Sequence, residues 1–210
     1  MIFASGHSIF WRLTDETGQG SDVVSIVLAN QKEDEAAEVE IETDIISAPH
    51  ETDPPDHPIE IEWNKKDLNL FLTLLRNTFP PRKILEQDEQ IELDLTDESV
   101  LRIMHIVASA RFSTPYPVET VINPDRSLPS EMVRFRVGEH ISLDTIDGFK
   151  PGVIVAVNDD EINCVLLEEI TSPAGDNIQL DRHDLIVLNK QFALPSIFTV
   201  NQPGESDLIH

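Results

Sequence analysis

Three stretches of this chain alternate acidic and apolar residues: Glu38-Val39-Glu40-Ile41-Glu42-Thr43-Asp44-Ile45, Glu60-Ile61-Glu62-Trp63 and Glu92-Leu93-Asp94-Leu95. In an extended strand successive side chains point to opposite faces. Val39, Ile41, Ile45, Ile59, Ile61, Trp63, Leu93 and Leu95 then face inward, while Glu38, Glu40, Glu42, Asp44, Glu60, Glu62, Glu92 and Asp94 form an outward set. Same-face carboxylates on one strand are ~6.8 Å apart, twice the rise per residue. If the strands are neighbours, like charges also oppose one another at roughly 0.2–1 kcal/mol per pair. Such an arrangement calls for cations, either a basic partner or the chain's own Lys65, Lys66, Arg76, Arg82 and Lys83. The eight outward carboxylates are therefore the expected partner-binding residues. A regular anionic row can also imitate a polyanion and occupy a nucleic-acid-binding site on another protein. Three separate strands with ordinary solvated faces would carry the same pattern.

Other reactive side chains form weaker constellations. His50 and His57 flank Asp53 and Asp56, but four ligands on a proline-rich loop without cysteine make a poor zinc signal. His105 lies among Met104, Ile106 and Val107, as a core or boundary histidine would, and His183 sits in a turn between Arg182 and Asp184. Cys164, the only cysteine, lies in the apolar run Ile162–Leu167, where an inert packed thiol is expected rather than a nucleophile. Asp159-Asp160-Glu161 lacks the spaced oxygens of a calcium loop. There is no phosphate-cradling glycine loop, serine elbow or paired metal-histidine motif. The expectation is a non-enzymatic protein with no catalytic residue, metal or cofactor.

The charge balance narrows the partners. Across 210 residues, 39 acids and 15 bases give a net charge of −24. Duplex nucleic acid and membrane surfaces are themselves anionic, so direct binding to either is disfavoured. The acidity is also concentrated: residues 31–64 hold 12 acids and the single base Lys32. Met1–His7 shows no basic stretch followed by an apolar core, no apolar run approaches the ~20 residues of a membrane span, and one cysteine forms no internal disulfide. A cytoplasmic location is expected.

The elements that must position these groups follow from local pattern. Residues 1–30 read as a hairpin, with β-rich runs at Ser8–Leu13 and Asp22–Leu28 around a Gly-containing turn. Ala48–Pro58 holds four prolines and reads as an exposed loop. Residues 59–112 read as β-α-β-α. Asn64 caps the first helix with Asp67 at its third position; Leu68, Phe71, Leu72, Leu75 and Phe79 form its stripe, widened by Leu70 and Leu74, and Pro80-Pro81 stops it. Ile91, Leu93 and Leu95 form a second strand, and Thr96 caps a second helix with Val100, Ile103, Met104, Val107 and Ala108 on its inner face. Residues 113–131, with four prolines, read as a connection.

Beyond it, short strands are predicted at Val133–Val137, His140–Leu143, Gly152–Val157, Ile162–Leu167, Ile178–Leu180 and Leu185–Leu188, with turns between. The sequences Phe135-Arg136-Val137-Gly138-Glu139-His140-Ile141, Asp147-Gly148-Phe149-Lys150-Pro151-Gly152-Val153-Ile154-Val155-Ala156-Val157-Asn158-Asp159-Asp160 and Asn163-Cys164-Val165-Leu166-Leu167 resemble the Tudor-like and Src-homology-3-type small barrels. The resemblance covers about residues 132–190. It implies a fold and no ligand, because the segment offers Phe135 and Phe149 but neither tyrosine nor tryptophan for an aromatic cage. The expected organisation is α+β: an acidic domain at 1–128 with a mixed sheet and two helices, a small all-β barrel at 129–190 and a polar tail at 191–210. The expected function is an acidic adaptor or inhibitor of a basic partner. The alternatives are a metal-dependent or enzymatic accessory factor using the 50–57 loop, and a structural or assembly component.

Overall fold

A computed structural model describes residues 2–3, 9–15, 22–29, 38–47, 58–79, 91–92, 94–118, 121–123, 134–171 and 179–196. The fold is α+β, and the chain divides into two compact units, Met1–Thr114 and Pro115–His210.

The first unit is built on a four-stranded antiparallel sheet. Its strands are β2 (Ile9–Thr14), β3 (Val23–Ala29), β4 (Glu38–Ile46) and β5 (Ile59–Glu62), in the order β4-β3-β2-β5. A separate short pair joins β1 (Ile2–Phe3) to β6 (Ile91–Glu92). The inner face carries Ile9, Trp11, Leu13, Val24, Ile26 and Leu28, all buried. Helices α1 (Lys65–Thr78) and α2 (Glu98–Phe112) pack against each other, and α2 packs against β4.

Helix α1 begins as its sequence predicts. Asn64 Oδ1 accepts hydrogen bonds from the Lys66 and Asp67 amides, and Asp67 Oδ2 accepts from the Asn64 amide, a reciprocal capping box. Asp67 does more than cap. It is buried and accepts a hydrogen bond from Trp11 Nε1 at 3.2 Å, which fastens the helix start to the sheet. Trp11 in turn stacks on Trp63 at 4.8 Å and meets the edge of Phe112, and Trp63 meets the edge of Phe71. The buried stripe therefore runs through Asp67, Leu70, Phe71, Leu74 and Leu75, whereas Leu68, expected on that stripe, is exposed. In α2 the expected Val100, Ile103, Met104, Val107 and Ala108 are all buried. The N-cap is Asp97, which accepts from the Ser99 amide, rather than Thr96. Thr96 and Leu95 lie in a turn, so the extended run expected from Ile91 to Leu95 does not continue to Leu95. Pro80 and Pro81 fall outside the described residues.

The second unit holds a six-stranded mixed sheet in the order β14-β8-β9-β10-β13-β7. Strands β8 (His140–Thr145), β9 (Gly148–Val157) and β10 (Glu161–Leu166) form consecutive hairpins, and β13 (Leu185–Asn189) pairs with β10. A 3₁₀ turn at Lys190–Phe192 leads into β14 (Ala193–Pro195), which returns antiparallel to β8. Strand β7 (Tyr116–Pro117) adds parallel to β13, and β11 (Ile170–Thr171) pairs with β12 (Gln179–Leu180). The β8–β9 turn is tied by Asp147, whose Oδ2 lies 2.9 Å from Lys150 Nζ and accepts from the Thr171 amide at 3.2 Å.

The core of this unit combines Val118, Val121, Ile122, Ile141, Leu143, Ile154, Ile162, Cys164, Leu166 and Ile186 with neighbours from β11 to β14. The described part of the proline-rich segment 113–131 thus supplies both a strand and core residues to the second unit. Ala193–Pro195, inside the segment read as a polar tail, is a strand of the same sheet. Residues 134–136, within the predicted strand Val133–Val137, form no strand and lead into a turn at Val137-Gly138, where Gly138 adopts φ 84°. Gly152 is required for space: a Cβ there would collide with Cys164 Sγ.

Candidate functional site: a carboxylate-walled sheet face

The outer face of the four-stranded sheet is defined by register. Glu40 pairs across to Val27, Val27 to Phe10 and Phe10 to Glu62, which makes one rung. Glu42, Ser25, Arg12 and Glu60 make the next. The two edge strands thus carry exposed glutamates, Glu38, Glu40 and Glu42 on β4 and Glu60 and Glu62 on β5. The two central strands carry an apolar and hydroxyl floor interrupted by Arg12. Strict alternation puts the glutamates there, because the same strands must turn Val39, Ile41, Ile59 and Ile61 toward the helices.

Arg12 gathers the two edges. Its Nη1 donates to Glu40 at 2.7 Å, its Nη2 to Glu38 at 2.9 Å and to Glu60 at 2.7 Å, and its Nε to Glu60 at 3.2 Å. The Arg12 side chain is 19% exposed, against 42–55% for the three glutamates. Hydrogen bonds that Arg12 donates to Glu60 first, then to Glu38 and Glu40, hold its pKa above the ordinary arginine value, although partial burial opposes them. Three of the five carboxylates bond the guanidinium of Arg12, so the face remains anionic. Glu42 and Glu62 have no ion-pair partner among the described residues.

The other expected site residues lie elsewhere. Strand β4 shifts register against β3 between the pairs Ser25–Glu42 and Val23–Ile46. Thr43 plugs this bulge, its Oγ1 donating to the Val24 carbonyl and accepting from the Ile45 amide. Asp44 leaves the glutamate row: its Oδ1 lies 2.6 Å from Nδ1 of His105 on α2. Glu92 is on β6, paired with β1 and outside the four-stranded sheet; its side chain is not among those described. Asp94 is an exposed turn residue that accepts from the Thr96 hydroxyl at 2.7 Å and amide at 3.0 Å, and these bonds hold its pKa below the usual aspartate value. His50, Asp53, Asp56 and His57 fall outside the described residues. Cys164 is fully buried, and desolvation pushes its pKa far up, away from the thiolate that nucleophilic chemistry needs.

Sequence reasoning missed Arg12 and Ser25. The available signal was the outward position of Arg12 in the alternation Ile9-Phe10-Trp11-Arg12-Leu13, on a strand bound to be central if both flanking acidic runs pair beside the hairpin. Arg12, Thr14, Val23, Ser25, Glu40, Glu42, Pro58 and Glu60 surround a concavity of about 430 Å³ on this face. No helix among the described residues is long and apolar enough to cross a membrane. No protein-family model matches this chain, and no curated protein matches it either.

Proposed function

We propose that this protein is a non-enzymatic adaptor or inhibitor that acts in the cytoplasm and docks a basic protein partner on the outer face of its four-stranded sheet. The observation that supports this reading is the convergence of Glu38, Glu40, Glu42, Glu60 and Glu62 on one face around Arg12, the one cation on that face among the described residues. Holding carboxylates together costs repulsion, which Arg12 offsets in part and a cationic partner offsets further. An anionic row at strand spacing also allows competition with nucleic acid for a partner's basic site. In the second unit, β14 returning beside β8 after consecutive hairpins supports a small Src-homology-3-like barrel as scaffold.

The test is capture from the native cell extract with identification of the retained proteins. A chain with Glu38, Glu40, Glu42, Glu60 and Glu62 changed to glutamine keeps side-chain shape and loses the charge. A control carries the same number of amide changes at Asp159, Asp160, Glu161, Glu168 and Glu169. The expected result is a basic protein retained by wild type and control near 0.05 M salt, released at about 0.5 M, and lost from the five-glutamine chain. Equal retention by the two variants overturns the reading, since net charge alone would then explain binding.

A further inference from the structure

The cations of the first unit are segregated from its glutamates. Apart from Arg12, every described lysine and arginine of that unit lies on a helix: Lys65, Lys66 and Arg76 on α1, Arg102 and Arg111 on α2. Helix α1 turns its buried stripe toward Trp11 and Trp63, on the side of the sheet away from the glutamates. At about 100° per residue, Lys65, Leu68, Leu72 and Arg76 then share the opposite, outward surface. Lys65 and Arg76 are exposed, Leu68 is 42% exposed and Leu72 is half-buried. Asp67, the one acid of this helix, is buried. Lys65, Lys66 and Arg76 have no ion-pair partner among the described residues. In a chain with 39 acids and 15 bases, α1 thus presents unpaired cations around an exposed apolar centre.

Resting on the docking reading above for the glutamate face, we infer that a second copy of this chain docks there through the outward surface of its α1. The two surfaces have complementary plans. The rung Glu40-Val27-Phe10-Glu62 places an apolar middle between carboxylates, as α1 places Leu68 and Leu72 between Lys65 and Arg76. Their lengths also agree: Lys65 to Arg76 spans ~16 Å of helix and Glu38 to Glu42 ~14 Å of strand. The net charge of −24 opposes association at low salt, but at about 0.15 M salt screening over ~8 Å confines the interaction to the facing groups. Because the two surfaces lie on opposite sides of the first unit, the contact is head-to-tail. Each added copy leaves one surface of each kind open, so copies stack in series rather than closing as a symmetric pair.

The experiment is sedimentation of the full-length chain from about 10 μM to about 1 mM in about 0.15 M salt. The helix variant carries Lys65→Gln, Lys66→Gln and Arg76→Gln, and the sheet variant carries the five glutamate-to-glutamine changes described above. Both are first checked for a cooperative melt. The expected result is a wild-type mass that rises with concentration past that of a dimer, while each variant alone stays monomeric. An equal mixture of the two variants should form a dimer and nothing larger, since one intact glutamate face then meets one intact α1. A control with Arg134→Gln, Arg136→Gln and Arg182→Gln loses the same charge as the helix variant and should associate as wild type does. A mixture that forms no dimer, or a helix variant that associates as wild type does, overturns the stacking. A monomeric wild type that still retains a basic protein from extract overturns the second copy and leaves the docking face standing, and loss of both results overturns both.

Discussion

The two larger sheets of this protein treat their edges in different ways. In the second unit the outermost strands, β7 and β14, are two and three residues long and each contains a proline, Pro117 and Pro195. Short edges with a missing amide make poor templates for another strand. In the first unit one edge strand, β4, runs for nine residues without proline and carries glutamate at alternate positions, as does β5 at the other edge. Proline closes an edge to everything, whereas charge closes it only to neutral or anionic strands and leaves it approachable by cations. The contrast teaches that the first sheet is selective at its margins and the second is sealed.

The largest expected effect breaks the sealed sheet. A fragment of residues 115–196 should show a cooperative thermal transition with a β spectrum, because it keeps β7, β14 and the buried Val118, Val121 and Ile122. A fragment of residues 130–190 lacks all of these and should fail to fold. A cooperative melt from the shorter fragment would show that these edges are dispensable.

Gly152→Ala is the next largest. The added methyl must displace the Cys164 sulfur in a packed interior, so a loss of about 1–3 kcal/mol is expected in chemical denaturation. The double change Gly152→Ala with Cys164→Ala should recover part of it, and a double variant no better than the single would rule out the sulfur contact as the cause.

Arg12→Gln tests the charged margin. Glu38, Glu40 and Glu60 lose their shared cation, and stability should fall by about 1 kcal/mol near 0.05 M salt. Screening of the exposed repulsion should narrow the deficit near 1 M salt. A deficit independent of salt would mean that Arg12 acts by packing over the floor instead.

The smallest effect concerns acid. The Lys150 contact first, and then the Thr171 amide, hold the Asp147 pKa below its ordinary 3.8. A lowered folded value favours the charged form in the fold, so the contribution is complete above the ordinary value and fades as pH falls through the folded one. Asp147→Asn should therefore lower the melting temperature slightly at pH 7, by a deficit that shrinks as the pH is taken below the ordinary aspartate value.

What could be read in advance depended on how local each feature is. The Asn64–Asp67 cap and the buried face of α2 are set by neighbours within a few positions, and the sequence displays both. The orientation of Glu38, Glu40, Glu42, Glu60 and Glu62 was legible for the same reason, since a period of two fixes it. Asp44 escaped because the bulge depends on Thr43 bonding the Val24 carbonyl on another strand. The meeting of Arg12 with Glu38 and Glu60 spans 26 and 48 residues of chain, which no local pattern encodes. Strands β7 and β14 are too short to show a period, and their prolines argue against strand. Asp67 was recognised as a cap but not as the anchor of Trp11, because that bond joins positions 56 apart.

The contact between Gly152 and Cys164 has a practical consequence. Cys164 is the only thiol of the chain and is fully enclosed by β-sheet neighbours. A thiol-directed reagent can reach it only when the second unit opens, so the labelling rate of the unmodified protein reports that opening. Rapid quenching and mass spectrometry would read it as a single mass increment. The molecule thus carries its own clock for the breathing of its six-stranded sheet.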